Sequence, residues 1–237
     1  MQTVILAGGI ATRLRPLTLT LPKSMILVRQ KPFLEHQLAL LRAHGVTDIV
    51  LCVGHLGTLI AEYFGKGEKW GVSLSYSWET NGLLGTGGAV RNARALLNEE
   101  FLLLYGDSYL RVDYQDVIRE FRKCGLPAMM VVYRNEDQWD RSNIVVRDGK
   151  IGFYSKKERW PDTVYIDAGV SAFRKEVLDW LPPEGEASLE GLIQMLIARN
   201  CLHAYETRQR FYEIGSFAGL EELERLDLPP SFQPLPD

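Results

Sequence analysis

The sequence predicts an α/β fold, organised as one three-layer domain with a mostly parallel, mixed sheet and an antiparallel extension. Strand and helix patterns alternate along the first half of the chain, an order that produces parallel strands joined by right-handed crossovers. The 237 residues, 46% of them hydrophobic, are enough to form one large core. In the second half, Asp148-Gly149 lies between two strand patterns and indicates an antiparallel hairpin.

The first half contains regular strand and helix patterns. Apolar or alternating runs predict its strands, over residues 3–7, 48–53, 72–77 and 101–105. Helical periodicity predicts its helices, over residues 32–44, 56–64 and 88–97. Pro32 begins the first of these helices, Gly45 follows its end, and Gly65 follows the end of the second.

The second half has a more mixed order of elements. Strands are predicted over residues 128–133, 143–146, 150–154, 164–173 and 203–207. Helices are predicted over residues 117–123, 175–181, 189–199 and 217–226. Residues 228–237 include four prolines, so we expect a domain over residues 1–227 and an extended C-terminal tail after it.

Composition and charge exclude several classes of protein. A formal net charge of −3 differs from the basic balance that nucleic-acid-binding proteins usually have. The three cysteines, Cys52, Cys124 and Cys201, form no CxxC pair and suit a reducing compartment. The N-terminus has a strand pattern rather than that of a secretion signal, and no apolar run reaches the roughly 18 residues of a membrane span. We therefore expect a cytoplasmic protein that binds neither nucleic acid nor membrane, and the sequence leaves open whether it forms a homo-oligomer.

The segment after the first strand indicates a site for a polyanion. The strand ends in Gly8 and Gly9, and glycine allows backbone N–H groups to approach a ligand closely. Arg13, Arg15 and Lys23 follow, and no Asp or Glu occurs before residue 34. Cations without neighbouring acids favour phosphate binding over a solvated charged face. The segment lacks the G-x-G-x-x-G and Walker A patterns, and a tight turn at the two glycines is the alternative.

Longer motifs in the same segment carry a resemblance to a known family. GGIATRLRPLT covers residues 8–18, Pro22-Lys23 follows, and KPFLE covers residues 31–35. Shorter motifs continue the match in order: LGTGGA at 84–89, YGDS at 105–108, DAG at 167–169 and YEIG at 212–215. This pattern resembles the sugar-1-phosphate nucleotidyltransferases, and LGTGGA is most similar to the D-glycero-D-manno-heptose 1-phosphate and mannose-1-phosphate guanylyltransferases. The resemblance implies the Rossmann-like fold of the nucleotide-diphospho-sugar transferases.

The resemblance also implies a reaction and a set of binding residues. A nucleoside triphosphate and a sugar 1-phosphate would give a nucleotide sugar and pyrophosphate, with Mg²⁺ as cofactor, for glycan or polysaccharide biosynthesis. As catalytic residues, Arg13 would hold the β- and γ-phosphates, and Lys23 would lie between the α-phosphate and the sugar phosphate. Lys156 would bind the sugar phosphate. The nucleotide-binding residues would be Leu6, Ala7, Gly8, Gly9, Thr12, Glu79, Gly85, Thr86 and Gly87.

Two carboxylates are candidate metal ligands. Asp107 follows an apolar strand, where ligands bind in open α/β sheets, and the resemblance makes it a Mg²⁺ ligand. A helix N-cap or turn aspartate is the alternative. The family's second ligand is usually the Asp of an x-D-I-G motif, and this chain has Glu213 there, a hard oxygen ligand that reaches one methylene further. A surface carboxylate on a late strand is the alternative for Glu213.

Three polar side chains are candidates for substrate selectivity. Glu79 would accept hydrogen bonds from N1–H and N2–H of guanine, which favours guanine over uracil; a solvated glutamate at a strand end is the alternative. Asn143 and Asp167 are candidate partners of sugar hydroxyls. Their alternatives are a strand-end turn for Asn143 and a buried, hydrogen-bonded acid for Asp167.

A second class of function is consistent with the same sequence. Ser155, Asp167 and Glu213 depart from the family pattern, as they would in a non-catalytic sugar-nucleotide-binding regulatory module. The retained cations and Asp107 favour the enzyme, because a sensor has little need of the whole charge array. A dinucleotide-dependent dehydrogenase lacks its glycine fingerprint.

Overall fold

A nine-stranded mixed sheet forms the centre of the computed structural model, which describes residues 1–80 and 82–226. The strands are β1 (Gln2–Leu6), β2 (Leu27–Val28), β3 (Lys31–Pro32), β4 (Asp48–Val53), β5 (Ser73–Trp78), β6 (Glu100–Tyr105), β7 (Ser108–Leu110), β8 (Ala128–Arg134), β9 (Ile144–Arg147), β10 (Lys150–Tyr154), β11 (Tyr165–Arg174), β12 (Leu202–Thr207) and β13 (Phe211–Glu213). The α-helices are α1 (Phe33–Ala43), α2 (Gly57–Phe64), α3 (Gly85–Asn92), α4 (Tyr114–Cys124), α5 (Leu189–Ala198) and α6 (Phe217–Arg225).

The first half of the sheet is parallel, as the alternating pattern predicts. Strands β5, β4, β1 and β6 lie side by side in that order, and each adjacent pair is parallel. In the register of the sheet, Ile5 of β1 lies between Leu51 of β4 and Leu104 of β6. Helices α1, α2 and α3 connect these strands, which is the β-α-β order of a doubly wound sheet.

The second half of the sheet is mixed. Strand β11 pairs antiparallel with both β6 and β8, and β12 pairs parallel with β8. Strands β9 and β10 form the predicted hairpin, in which Asp148 and Gly149 have φ values of 50° and 71°. Two positive φ values are the conformation of a type I′ turn, which explains the Asp-Gly pair.

The core consists of one apolar layer on each face of the sheet. Val4 and Ile5 point to opposite faces because successive strand side chains alternate. The layer on the face of Ile5 includes the apolar side chains of α1, α2 and α4, and the layer on the face of Val4 includes those of α3 and α5. The protein therefore has the predicted three-layer α/β/α architecture.

Several elements differ from the sequence expectation. Helix α3 begins at Gly85, three residues before the predicted start, and becomes a 3-10 helix over Ala93–Leu96. The helix predicted over residues 175–181 is a 3-10 helix, Lys175–Trp180. The short pairs β2–β3 and β7–β13 were not predicted, because two or three residues are too few to show a period.

Some expectations concern parts of the chain that the structure leaves untested. The predicted tail, residues 228–237, lies outside the described residues, and the boundary at residue 227 stays a prediction. Among the helices of the described ranges, none is long and apolar enough to cross a bilayer.

Candidate active site

The candidate site lies at the carboxyl ends of parallel strands β1 and β6. The backbone N–H of Gly106 donates to Leu6 O at 2.9 Å and thereby continues the pairing of the two strands past their ends. A Cβ at Gly106 would lie 2.4 Å from the same oxygen, so this position needs glycine for close approach. Beneath the turn, the buried Gln37 of α1 donates to Tyr105 O at 2.9 Å and to Ser108 O at 2.7 Å. These bonds fix the turn that carries Asp107.

A first cavity of about 350 Å³ opens at this end of the sheet. The predicted site residues that line it are Leu6, Ala7, Gly8, Gly9, Lys23, Glu79, Gly85, Thr86 and Asp107. Its other lining residues, to which the sequence analysis assigned no binding role, are Ala11, Ser24, Leu83, Ala89, Tyr105, Gly106 and Glu186. The cavity therefore contains most of the predicted nucleotide-binding set.

Gly8 and Glu79 form a close contact in the wall of the first cavity. A Cβ at Gly8 would lie 2.6 Å from Glu79 Oε1 and 3.0 Å from the backbone nitrogen of Gly54. The other carboxylate oxygen of Glu79 accepts a hydrogen bond from the backbone N–H of Leu84 at 2.7 Å. Burial raises the pKa of Glu79, and the bond from Leu84 opposes that rise. Glu79 is thus a fixed acceptor, which its strand-end position alone did not establish.

The start of helix α3 is held by a segment from the second half of the chain. The N–H groups of Gly87 and Gly88 donate to Ala187 O at 2.9 and 3.0 Å, and Thr86 Oγ1 accepts from the N–H of Leu189 at 2.9 Å. A Cβ at Gly87 would lie 2.9 Å from the carbonyl group of Ser188. Gly87 lies outside the lining of the first cavity, and its glycine is required by this packing.

A second cavity of about 390 Å³ adjoins the first. The predicted site residues that line it are Arg13, Asp107, Asn143, Lys156, Asp167 and Glu213. Its other lining residues are Tyr105, Asp140, Arg141, Tyr154, Ser155, Ile166 and Gly169. Tyr105 and Asp107 line both cavities, so the two spaces meet at the turn after β6.

Charged groups concentrate where the cavities meet. Lys23 Nζ lies 2.5 Å from Asp107 Oδ2, and both side chains are partly buried. Strand β13 brings Glu213 opposite Ser108, and the N–H of Ile214 donates to Asp107 O at 2.9 Å. As a result, Ser108 Oγ lies 3.4 Å from a carboxylate oxygen of Asp107 and 3.4 Å from one of Glu213.

The environment of Glu213 suits a cation. Although Glu213 as a whole is exposed, partial desolvation of its carboxylate, together with the negative charge of Asp107, raises the pKa of Glu213 to about 7, while Lys23 opposes the rise. The described ranges contain no group of three or more His, Cys, Asp and Glu side chains placed to hold a metal ion. Two adjacent carboxylates with one ammonium group leave excess negative charge, and hard oxygen donors of this kind fit Mg²⁺.

Asp167 and Asn143 supply polar atoms to the second cavity. Asp167 Oδ1 accepts from the N–H of Gly169 at 2.9 Å, and burial raises the pKa of Asp167 to about 6. Gly169 has φ +83° within an irregular part of β11, where a Cβ would lie 2.7 Å from Ser108 Cβ. Asn143 Oδ1 is buried and has no hydrogen-bond partner among the described residues. An unsatisfied buried acceptor in a cavity wall suits a ligand hydroxyl.

Lys156 and Ser155 lie in a turn after β10. The N–H of Lys156 donates to Glu190 Oε1 of α5 at 3.1 Å, and Lys156 Nζ lies 5.8 Å from the centroid of the Tyr105 ring. Ser155 Oγ accepts from the N–H groups of Lys157 and Glu158 at 3.1 and 3.0 Å. Ser155 thus stabilises the turn that presents Lys156 to the cavity.

The structure places Arg13 and Thr12 outside the lining of the first cavity, which contains most of the predicted nucleotide-binding residues. Ala11 has φ 50°, and the 3-10 helix Thr12–Leu14 that follows is anchored by the buried Leu14. The side chain of Arg13 is exposed and lines the second cavity, not the first. Thr12 is exposed and lines neither.

Glu186, Asp140 and Arg141 line the cavities and were missed by sequence reasoning. Glu186 reaches the first cavity because the segment around Ala187 docks on α3, which no local pattern indicates. Asp140 and Arg141 lie in a loop before β9 without a recognised motif. The only sequence signal for Tyr105 was its place in the YGDS motif.

Relatives with similar sequences are sugar-nucleotide enzymes. A UTP–glucose-1-phosphate uridylyltransferase from Synechocystis sp. is 33% identical over 81% of this chain and 53% of its own length. A D-glycero-alpha-D-manno-heptose 1-phosphate guanylyltransferase from Campylobacter jejuni is 30% identical over 85% of this chain and 90% of its own length. The chain thus spans about half the length of the first relative and most of the second.

A solved structure and a family model also match this chain. The crystal structure of HddC from Yersinia pseudotuberculosis complexed with GMP-PN superposes with a TM-score of 0.79 and 25% identity, covering 94% of this chain and 97% of HddC. The family model described as "Nucleotidyl transferase" matches residues 2–228. Because this match covers nearly the whole chain, the chain belongs to the nucleotidyl transferase family.

Proposed function

We propose that this protein transfers a nucleoside monophosphate from a nucleoside triphosphate to a sugar 1-phosphate, with release of pyrophosphate. The observation that carries the proposal is the pair of cavities that meet at Asp107, with Lys23 at the junction. The first cavity would hold the nucleotide and the second the sugar phosphate. Two anionic substrates would then meet beside a cation.

The chemistry needs charge neutralisation and alignment rather than a general base. An oxygen of the sugar phosphate attacks the α-phosphorus, and the bond from that phosphorus to the bridging oxygen of the β-phosphate breaks. The electron pair of that bond leaves with pyrophosphate. The nucleophile is already ionised near neutral pH because the second pKa of a phosphate monoester is about 6. The main barriers are repulsion between anions and misalignment, which fixed cations and a shaped site lower.

We propose that three cationic side chains bind different phosphate groups of the two substrates. Lys23, at the junction, would bind between the α-phosphate and the sugar phosphate. Lys156 and Arg13 line the second cavity, where Lys156 would hold the sugar phosphate. Arg13 is exposed, and we propose that it turns toward the β- and γ-phosphates when the triphosphate binds.

Asp107 and Glu213 are the proposed ligands of Mg²⁺. When bound, the ion would neutralise phosphate charge in the transition state. Release of Lys23 from Asp107 toward the phosphates would leave both carboxylates available as oxygen ligands.

Guanine is the proposed base, and a manno-configured heptose or mannose is the proposed sugar. The fixed carboxylate of Glu79 in the first cavity supports guanine, whose N1–H and N2–H are donors. The Campylobacter relative, named as a heptose 1-phosphate guanylyltransferase, agrees with this choice. Asn143 Oδ1 and the Asp167 carboxylate would accept hydrogen bonds from sugar hydroxyls.

The proposal is tested by pyrophosphate release from the purified protein with Mg²⁺. GTP, CTP, UTP, dTTP and ATP are crossed with a panel of sugar 1-phosphates that includes mannose and manno-heptose. The expected result is turnover with GTP and a manno-configured sugar. Saturable nucleotide binding without turnover across the whole panel would support the regulatory module instead.

The three unpaired cysteines also support a cytoplasmic location, which fractionation of the source cells would test.

A further inference from the structure

An arginine side chain lies against two aromatic rings, each of which directly precedes a residue that lines the second cavity. The guanidinium carbon of Arg210 lies 3.4 Å from the centroid of the Trp139 ring and 4.8 Å from that of Tyr212. Arg210 Nη2 also donates to Glu222 Oε2 at 2.6 Å, and its Nε is buried with no hydrogen-bond partner among the described residues. Trp139, Arg210 and Tyr212 are called the arginine stack below. A partly desolvated guanidinium on aromatic faces is a strong form of the cation–π contact.

The stack joins two segments that are distant in sequence. Trp139 belongs to the loop of residues 135–142, and it directly precedes Asp140 and Arg141, which line the second cavity. Tyr212 belongs to β13 and directly precedes Glu213, which lines the same cavity. The stack therefore links the loop on one side of the cavity to the strand that carries the proposed metal ligand.

Hydrogen bonds within the 135–142 loop connect its residues to one another. The side-chain amide of Asn135 donates to Asp140 O at 2.6 Å and to Ser142 Oγ at 3.0 Å. The N–H of Ser142 donates to Asp137 Oδ1 at 2.8 Å, and Arg159 lies 2.5 Å from the other oxygen of Asp137. We therefore expect a change in the position of Trp139 to shift Asp140 and its neighbours as well.

We propose that the arginine stack positions the 135–142 loop and thereby sets the affinity for the sugar 1-phosphate. The expected effect on sugar 1-phosphate affinity rests on the proposed function, whereas the positioning of the loop rests on the contacts alone. Trp139 and Arg210 lie outside the lining of both cavities, so they are positioning residues and not catalytic ones. Loss of the stack displaces Asp140 and Arg141 on the sugar side and leaves the nucleotide cavity unchanged.

The test compares Trp139→Ala and Arg210→Gln with matched controls. Trp180→Ala removes a similar pair, in which Arg199 lies 4.6 Å from the Trp180 ring; neither Trp180 nor Arg199 lines the first or the second cavity. Glu222→Gln removes the ion pair of Arg210 and keeps the rings. Trp139→Phe keeps an aromatic face against Arg210, so its hydrogen exchange and KM values should match those of the wild-type protein.

Two readouts separate this inference from the proposed function. In hydrogen exchange, the amides of residues 136–142 should exchange about tenfold faster in Trp139→Ala and Arg210→Gln than in Trp180→Ala and Glu222→Gln. In steady-state kinetics, the KM for the sugar 1-phosphate should rise about tenfold in the same two variants, with the KM for the triphosphate unchanged. Unchanged exchange in the loop, or an equal rise in both KM values, would overturn the inference. An inactive wild-type protein would overturn the proposed function and leave the exchange result to decide the positioning role.

Discussion

Replacement of Asp167 by Asn should stabilise the protein at neutral pH and weaken its binding of the sugar phosphate. Burial raises the pKa of this carboxyl from 3.8 to about 6, with the N–H of Gly169 and the charge of Lys156 acting in the opposite direction. The native state therefore binds the proton more tightly than the unfolded chain, and above pH 6 the ionised group costs about 3 kcal/mol of folding free energy. Asn retains an oxygen for the N–H of Gly169 and carries no charge.

The direction of the Asp167 pKa shift determines how the stability of the protein depends on pH. The wild-type protein loses stability as pH rises from about 4 to about 6, because the unfolded chain releases the Asp167 proton first. The advantage of Asp167→Asn should thus be near zero at pH 4 and reach about 3 kcal/mol above pH 6, or roughly 6–12 °C in Tm.

Urea unfolding across this pH range measures the difference directly. Asp162→Asn is the matched control: Asp162 is exposed and paired with Arg147 at 2.7 Å, so its replacement should bring no gain. A gain for Asp167→Asn that is equal at pH 4.5 and pH 8 would point to packing, and a loss at pH 8 would refute the reasoning. The expected functional cost is a KM for the sugar 1-phosphate about tenfold higher, since a charged hydrogen-bond acceptor is lost.

Further predictions concern the charged centre and the base. Lys23→Ala should lower turnover roughly 100- to 1,000-fold with an unchanged circular dichroism spectrum, because a fixed cation is lost from the reacting phosphates; near-wild-type turnover would exclude Lys23 from catalysis. Asp107→Asn should abolish Mn²⁺ binding measured by paramagnetic relaxation, while retained binding would exclude Asp107 as a ligand. EDTA should stop turnover by the wild-type protein, and added Mg²⁺ should restore it; activity that persists in EDTA would refute the metal requirement. Glu79→Gln should raise the KM for GTP about tenfold and leave that for UTP unchanged, and equal effects on both would refute base recognition by Glu79.

The parts of the fold that the sequence predicted have strong local signals. Strand β4 has the predicted bounds, Asp48–Val53, because its apolar run is continuous and ends where the chain turns. The hairpin turn follows from Asp148-Gly149, which adopts two positive φ values. In both cases the sequence signal lies within the segment that forms the feature.

The parts that were missed depend on contacts between distant segments. Strand β13 is three residues long, and Glu213 reaches Asp107 because β13 pairs with β7. The start of α3 at Gly85 depends on Ala187, whose carbonyl accepts the N–H groups of that turn. Such contacts leave no periodic pattern in the sequence. The resemblance to family motifs therefore named several site residues, but the sequence did not predict how these residues lie relative to one another.

The central claim is most directly tested by assaying pyrophosphate release in parallel for the wild-type protein and Lys23→Ala, with GTP, Mg²⁺ and manno-heptose 1-phosphate or mannose 1-phosphate. We predict turnover by the wild-type protein, formation of the corresponding nucleotide sugar in equal amount, and its near-complete loss in the variant. Binding of GTP by a wild-type protein that releases no pyrophosphate with any sugar 1-phosphate of the panel would contradict the account.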